Sequence, residues 1–235
     1  MSLVYDVPGT AEVIVRYDVS FSGQLVMDLY TPPGAVPPLP AVVIVAGYPD
    51  PGFERKLGFR FKNMPSNVAW ARLIASLGFM AVTYTNLAPE RDLHLLLGQL
   101  RRHPDVDPAR IALWAASGNV PLALSALEEV KCAALLYGFM LDVDGVVSEA
   151  SRSFGFVNPG FAMAGKPLFI ARAGQDQFPG VKESTDAFVA EALRCNLPIT
   201  LTNHAEGPHA FDVAHDSEMS RAIVRQCLSF LHEHV

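Results

Sequence analysis

Three short stretches of this 235-residue chain carry side chains that could perform nucleophilic chemistry together. Ala115-Ala116-Ser117-Gly118-Asn119 follows the apolar run from Arg110 to Trp114 and runs straight into a helical pattern. Gly174-Gln175-Asp176 follows the run from Leu168 to Ala173, and Glu206-Gly207-Pro208-His209-Ala210-Phe211-Asp212 follows the short run from Ile199 to Thr202. A serine on a sharp strand-to-helix turn projects its hydroxyl above a sheet. The next amide, that of Gly118, then points from a helix N-terminus toward the place where an oxyanion would form. The order is Ser, Asp, His, with separations of 59 and 33 residues, and each residue follows a strand of its own. That arrangement fits acyl transfer, in which an imidazole takes the proton of a hydroxyl and a carboxylate holds the imidazole.

Taken singly, each residue has a plainer reading. Ser117 could cap its helix and Asp176 could cap a helix beginning near Pro179-Gly180-Val181. Asp142 and Asp144 are rival acids after the preceding strand, and His204 is a rival base. The short, rigid Gly174-Gln175-Asp176 turn favours Asp176 over acids in a longer loop. His204 sits at the strand's end, where a structural hydrogen bond is expected, whereas His209 lies in a loop able to reach back over the sheet.

The surrounding pattern must supply those strands. Residues 13–17 and 24–30 read as an antiparallel hairpin around Ser20-Phe21-Ser22-Gly23. A rigid connector with five prolines follows between Thr31 and Pro40. Ala41 to Val45 is an apolar run of the kind buried on both faces in a parallel sheet. A helix over 67–77, capped by Ser66 and ended by Gly78, precedes a strand at 79–84. Helix 90–102, strand 110–114, helix 120–127 and strand 132–137 continue the alternation. Strand 167–173, helix 181–195, strand 199–202 and an amphipathic helix over 217–234 complete it. The expectation is one α/β domain spanning the chain: a doubly wound, mostly parallel sheet with helices on both faces and an antiparallel N-terminal hairpin. Its ligands belong beyond the carboxyl ends of the strands.

Half the residues are hydrophobic, 18% are charged and mean hydropathy is +0.24, so the chain can bury a large core. With 18 Lys and Arg against 24 Asp and Glu, the formal charge is −6 and no basic surface suits a phosphate backbone, so nucleic acid is not an expected partner. The N-terminus has no signal-peptide pattern and no apolar run approaches a bilayer span, which leads to the expectation of a cytoplasmic protein with no membrane partner. Cys132, Cys195 and Cys227 are far apart and read as reduced core thiols. His232 and His234 are two residues apart on the last helix and cannot share a face. No metal and no cofactor are expected, because there is neither a ligand spacing nor a phosphate-cradling glycine motif. The sequence leaves the oligomeric state open, a homo-oligomer included.

The order of the three reactive residues, together with the lead-in His103-Pro104-Asp105-Val106-Asp107-Pro108-Ala109-Arg110-Ile111, resembles the α/β-hydrolase family over nearly the whole chain. Within it the chain is similar to the compact dienelactone-hydrolase-like and small-carboxylesterase branch. The resemblance implies Ser117 as nucleophile, His209 as general base and Asp176 as the acid that orients it. It also implies that Ala46-Gly47-Tyr48, after the first buried parallel strand, forms the oxyanion loop, with the amides of Tyr48 and Gly118 as donors. Two features depart from the family pattern. Ala115 and Asn119 stand where G-x-S-x-G has glycine, a mild perturbation and a larger one respectively, and a serine stands where strict dienelactone hydrolases have cysteine.

The expected function is therefore hydrolysis of a small-molecule carboxylic ester. An amidase or peptidase on the same residues, or an inactive binding protein on the same scaffold, are the alternatives. Residues 138–166 could fold over the site as a short cap, with Phe139, Met140 and Phe156 among its apolar side chains, or simply fill core beneath a loop. Phe53, with Tyr48, could border an acyl pocket in the loop from Tyr48 to Met64, whose basic residues Arg55, Lys56, Arg60 and Lys62 read as a solvated rim.

Overall fold

Strands β3 (Leu39–Ile44), β4 (Met80–Tyr84), β5 (Val106–Ala116), β6 (Ala133–Leu136), β7 (Leu168–Ala173) and β8 (Ile199–His204) pair in parallel in a computed structural model that describes residues 3–140 and 165–235. β1 (Ile14–Ser22) and β2 (Leu25–Thr31) join them antiparallel, giving the order β1-β2-β4-β3-β5-β6-β7-β8. The expected doubly wound sheet with its antiparallel N-terminal pair is what the chain forms.

Consecutive residues of β3, β4, β6 and β7, such as Val42, Val43 and Ile44, are fully buried, so both faces of the sheet are covered. That explains the uninterrupted apolar runs, since a strand with one solvated face would alternate. The covering helices are α1 (Asp50–Leu57), α2 (Pro65–Ala75), α3 (Pro89–Leu100), α4 (Val120–Ser125), α5 (Val181–Arg194), α6 (Phe211–Ala214) and α7 (Glu218–His234). α7 buries Ile223, Val224, Cys227, Phe230 and Leu231, the stripe its sequence displays. Ser217 caps it, its hydroxyl accepting from the Ser220 amide.

Several expectations change at element ends. α2 starts at Pro65, with Met64 at its N-cap and no side-chain cap, so Ser66 lies inside the first turn. Proline at the first helical position serves because its missing N–H would be unpaired there anyway. The stretch from Tyr48 to Met64, read as a loop, contains α1 and a short turn over Phe61–Asn63. Cys195 is half-buried at the end of α5, whereas Cys132 and Cys227 are fully buried thiols.

Lys62 is not on a solvated rim. It is 4% exposed, and its ammonium lies 2.7 Å from Asp28 on β2, itself buried, and 3.1 Å from Asp18. A buried ammonium must be paired, and the pairing carboxylate comes from the N-terminal strands.

Candidate active site

β5 ends in Ala116 and the chain turns at Ser117 with φ 58°, a left-handed conformation that a non-glycine residue adopts only when its surroundings hold it there. The turn continues through Ser117–Asn119 into α4. Its departures from a glycine-flanked elbow are both accommodated. The methyl of Ala115 is fully buried in the core. Asn119 uses both ends of its amide, Nδ2 donating to the Ala116 carbonyl at 2.9 Å and Oδ1 accepting the Gly47 N–H at 2.8 Å. β3 and β5 are adjacent and in register from Ala41 and Ile111 to Ile44 and Trp114, so the loop after β3 emerges beside the elbow and the clasp can form.

Asp176 and His209 come from the loops after β7 and β8, strands whose ladder runs as far as Ala173 opposite His204. The two loops are hydrogen-bonded to each other, the Gly174 N–H to the His204 carbonyl at 2.8 Å and the Gln175 N–H to the Gly207 carbonyl at 2.9 Å. Position 174 must be glycine for this approach, because a Cβ there would sit 2.5 Å from the Ala205 carbonyl oxygen. The Asp176 carboxylate, fully buried, accepts the Phe178 N–H on Oδ1 at 2.9 Å and meets His209 Nδ1 with Oδ2 at 2.7 Å. His209 Nε2 is 2.8 Å from Ser117 Oγ. Ser117, His209 and Asp176 thus form one continuous hydrogen-bonded chain, and Asp176 caps no helix.

The imidazole packs against two aromatic rings. Tyr137, directly after β6, has its ring centroid 4.8 Å from that of His209, and Phe178 lies at 4.6 Å, both edge to face. His204, the rival base, points elsewhere: its Nε2 is 3.0 Å from Ser220 Oγ on α7. Burial, then the neighbouring His215, hold its pKa below the ordinary histidine value.

Ser117, Gly118 and His209 open into a cavity of about 290 Å³ walled by Phe53, Leu57, Phe61, Met64, Trp114 and Val213. Phe53 thus lines the same cavity as Ser117 and His209. Asp50 pins this wall, accepting the Phe61 N–H at 2.8 Å on Oδ1 and the Asn86 N–H at 2.9 Å on Oδ2. Burial raises the Asp50 pKa, and those two amides oppose the shift. Tyr48 packs against one residue of this wall. Its ring packs on Phe53, and its carbonyl accepts from Asn86 Nδ2 at 3.2 Å.

Phe139 and Met140 are buried but do not line the cavity. The Phe139 ring lies close to Gly180, and the Met140 N–H donates to Ser184 Oγ at 2.6 Å. Phe156, Asp142, Asp144 and most of the proposed cap lie outside the described residues. Among the described residues, no three or more His, Cys, Asp or Glu side chains gather to hold a metal ion, and no helix is long and apolar enough to cross a membrane.

The residues that sequence reasoning missed are Trp70, Tyr137 and Asp212. Asp212 is 1% exposed, and its Oδ1 and Oδ2 accept from the Tyr137 hydroxyl and from Trp70 Nε1, each at 2.7 Å. The available signal was an acid three positions beyond His209, in a stretch otherwise apolar.

No family model and no curated protein matches the sequence. Solved structures do match. MGS-M1, an α/β-hydrolase enzyme from a Medee basin deep-sea metagenome library, is 14% identical with a TM-score of 0.68 over 94% of this chain and 97% of its own. A candidate dienelactone hydrolase from Klebsiella pneumoniae is 18% identical with a TM-score of 0.66, covering 94% and 99%. The thermophilic esterase Est2 of Thermogutta terrifontis, solved with propionate bound, is 16% identical with a TM-score of 0.66, covering 96% and 94%. By strand order, by the position of its elbow and by these likenesses, the chain has the α/β-hydrolase fold.

Proposed function

We propose that this chain is a serine hydrolase that cleaves small carboxylic esters through an acyl-enzyme. The observation that carries the reading is the hydrogen-bonded chain from Ser117 through His209 to buried Asp176, at the floor of an apolar cavity. His209 Nε2 takes the Ser117 proton as Oγ attacks the ester carbonyl. The Gly118 and Tyr48 amides hold the oxyanion. His209 then gives its proton to the leaving alcohol and activates the water that releases the acid, while Asp176 keeps the ring in one tautomer. The Asn119 clasp on Gly47 supports this assignment, because it fixes the loop bearing Tyr48 against the elbow bearing Gly118.

A cavity of about 290 Å³ suits a short acyl group, and structural neighbours named as esterases, one holding propionate, favour the same class. The test is labelling with a fluorophosphonate followed by peptide mapping. Covalent attachment at Ser117, absent in Ser117→Ala, is expected, together with a kcat/KM for nitrophenyl esters that falls from butyryl to palmitoyl. An unlabelled, folded protein would sink the proposal and leave a binding protein on this scaffold.

A further inference from the structure

The mechanism above makes no use of Asp212, yet this buried carboxylate lines the same cavity as Ser117 and His209. Its two oxygens are taken by the Tyr137 hydroxyl and Trp70 Nε1. Tyr137 is itself constrained, with φ 37° and its N–H donated to the Ala171 carbonyl at 2.7 Å. Its ring meets the His209 ring at an interplanar angle of 66°. Burial, and next the Asp212 charge, push the Tyr137 phenol well above its ordinary pKa, so the hydroxyl keeps its proton and remains the donor. Burial raises the Asp212 carboxyl, while Trp70, Tyr137 and the His209 charge pull it back.

Among the described residues, the groups facing the imidazole are Ser117 on Nε2, Asp176 on Nδ1, the Phe178 ring and the Tyr137 ring, with Asp212 behind Tyr137. A cation over the face of an aromatic ring, within about 6 Å of its centroid, is stabilised, and more so the richer that face. A phenol whose proton is drawn toward a carboxylate has a richer ring than one donating to water. Phe178 has no hydroxyl to be polarised in this way.

We propose that Asp212 is a positioning residue for His209: through the Tyr137 hydroxyl it fixes and polarises the ring that packs on the imidazole, and so stabilises the imidazolium formed when His209 takes the Ser117 proton. The inference rests on the reading of Ser117, His209 and Asp176 as the hydrolytic residues.

Asp212→Asn removes the charge with little change of shape, since its Oδ1 can accept from Trp70 while its Nδ2 donates to a Tyr137 hydroxyl turned to accept. Tyr137→Phe keeps the ring and removes the proton that Asp212 draws on. In that variant the carboxyl loses a donor in a buried site and takes up a proton more readily. The measurement is the NMR titration of the His209 ring in the full chain, assigned against His209→Gln, together with the pH dependence of fluorophosphonate labelling.

The His209 titration midpoint is expected to move down by about half a pH unit or more in each variant. The acid limb of labelling should move with it, and the double variant should move no further than Asp212→Asn. A midpoint that stays put or rises in Asp212→Asn, or shifts that add in the double variant, would overturn the proposal. If Asp212→Asn does not fold, Tyr137→Phe decides alone by the same criterion. A wild-type chain that takes no label would instead overturn Ser117 as the nucleophile, and the titration would still decide the role of Asp212.

Discussion

Asn119 holds Gly47: its side-chain oxygen accepts the Gly47 amide at 2.8 Å, closing the loop after β3 onto the elbow after β5. The residue that looks like an imperfection in a glycine-rich turn is a clasp between the two segments that supply the proposed oxyanion donors. Replacing it with alanine leaves the Gly47 N–H without this partner and lets the loop drift. A displacement of that kind costs rate rather than affinity. For Asn119→Ala we expect kcat toward a short nitrophenyl ester to fall by about tenfold to a hundredfold, with KM little changed. Steady-state kinetics on the folded variant checks this, and an unchanged kcat would mean that the clasp serves folding alone.

Asp176→Asn keeps the side-chain shape but offers His209 Nδ1 a group that favours the wrong tautomer. The loss expected is about 10⁴ in kcat, with Asp142→Asn and Asp144→Asn costing little. Near-normal turnover by Asp176→Asn would remove it from the mechanism, whatever hydrogen bond it makes.

His204 ties acid stability to the loop that carries His209. Burial and the neighbouring His215 lower its folded pKa below 6.5, its ordinary value. The neutral ring is therefore favoured by folding. The resulting stability is fully present above about 6.5 and is lost as pH falls through the folded pKa. Thermal midpoints should decline below about pH 6.5, and His204→Gln, able to meet Ser220 but not to titrate, should decline less steeply. Parallel acid limbs in the two proteins would contradict this.

The Lys62 ammonium, enclosed with Asp28, is a strong test of packing. Lys62→Met strands a buried carboxylate and should cost about 3 to 5 kcal/mol, a fall of roughly 10 °C in Tm. Adding Asp28→Leu to Lys62→Met should recover most of it, because a well-packed apolar pair can replace a buried ion pair. Calorimetry of the single and double variants decides.

Much of this was legible in the chain. The runs 41–45 and 79–84 announced buried strands because their apolar character is nearly continuous, and Ser117, Asp176 and His209 stood at strand ends in an order that few other arrangements share. What stayed hidden depends on contacts between distant residues. Lys62 reads as a surface lysine until Asp28 arrives from a strand 34 positions earlier. Asp212 reads as a loop acid until Trp70 arrives from 142 positions away. Ser66 looked like a helix cap because local preference could not foresee that Pro65 would take the first helical position.

The in-register end of β7 and β8 also governs how the gene can vary. From the level at which Ala173 faces His204, the chain reaches Asp176 in three residues and His209 in five, and the two loops are stitched together on the way. Point substitutions in these loops can be absorbed side chain by side chain. A single-codon insertion or deletion in either would shift one member of the pair along the sheet without the other. Libraries built to diversify this protein should therefore keep the lengths of 174–176 and 205–209 fixed and confine length variation to other loops.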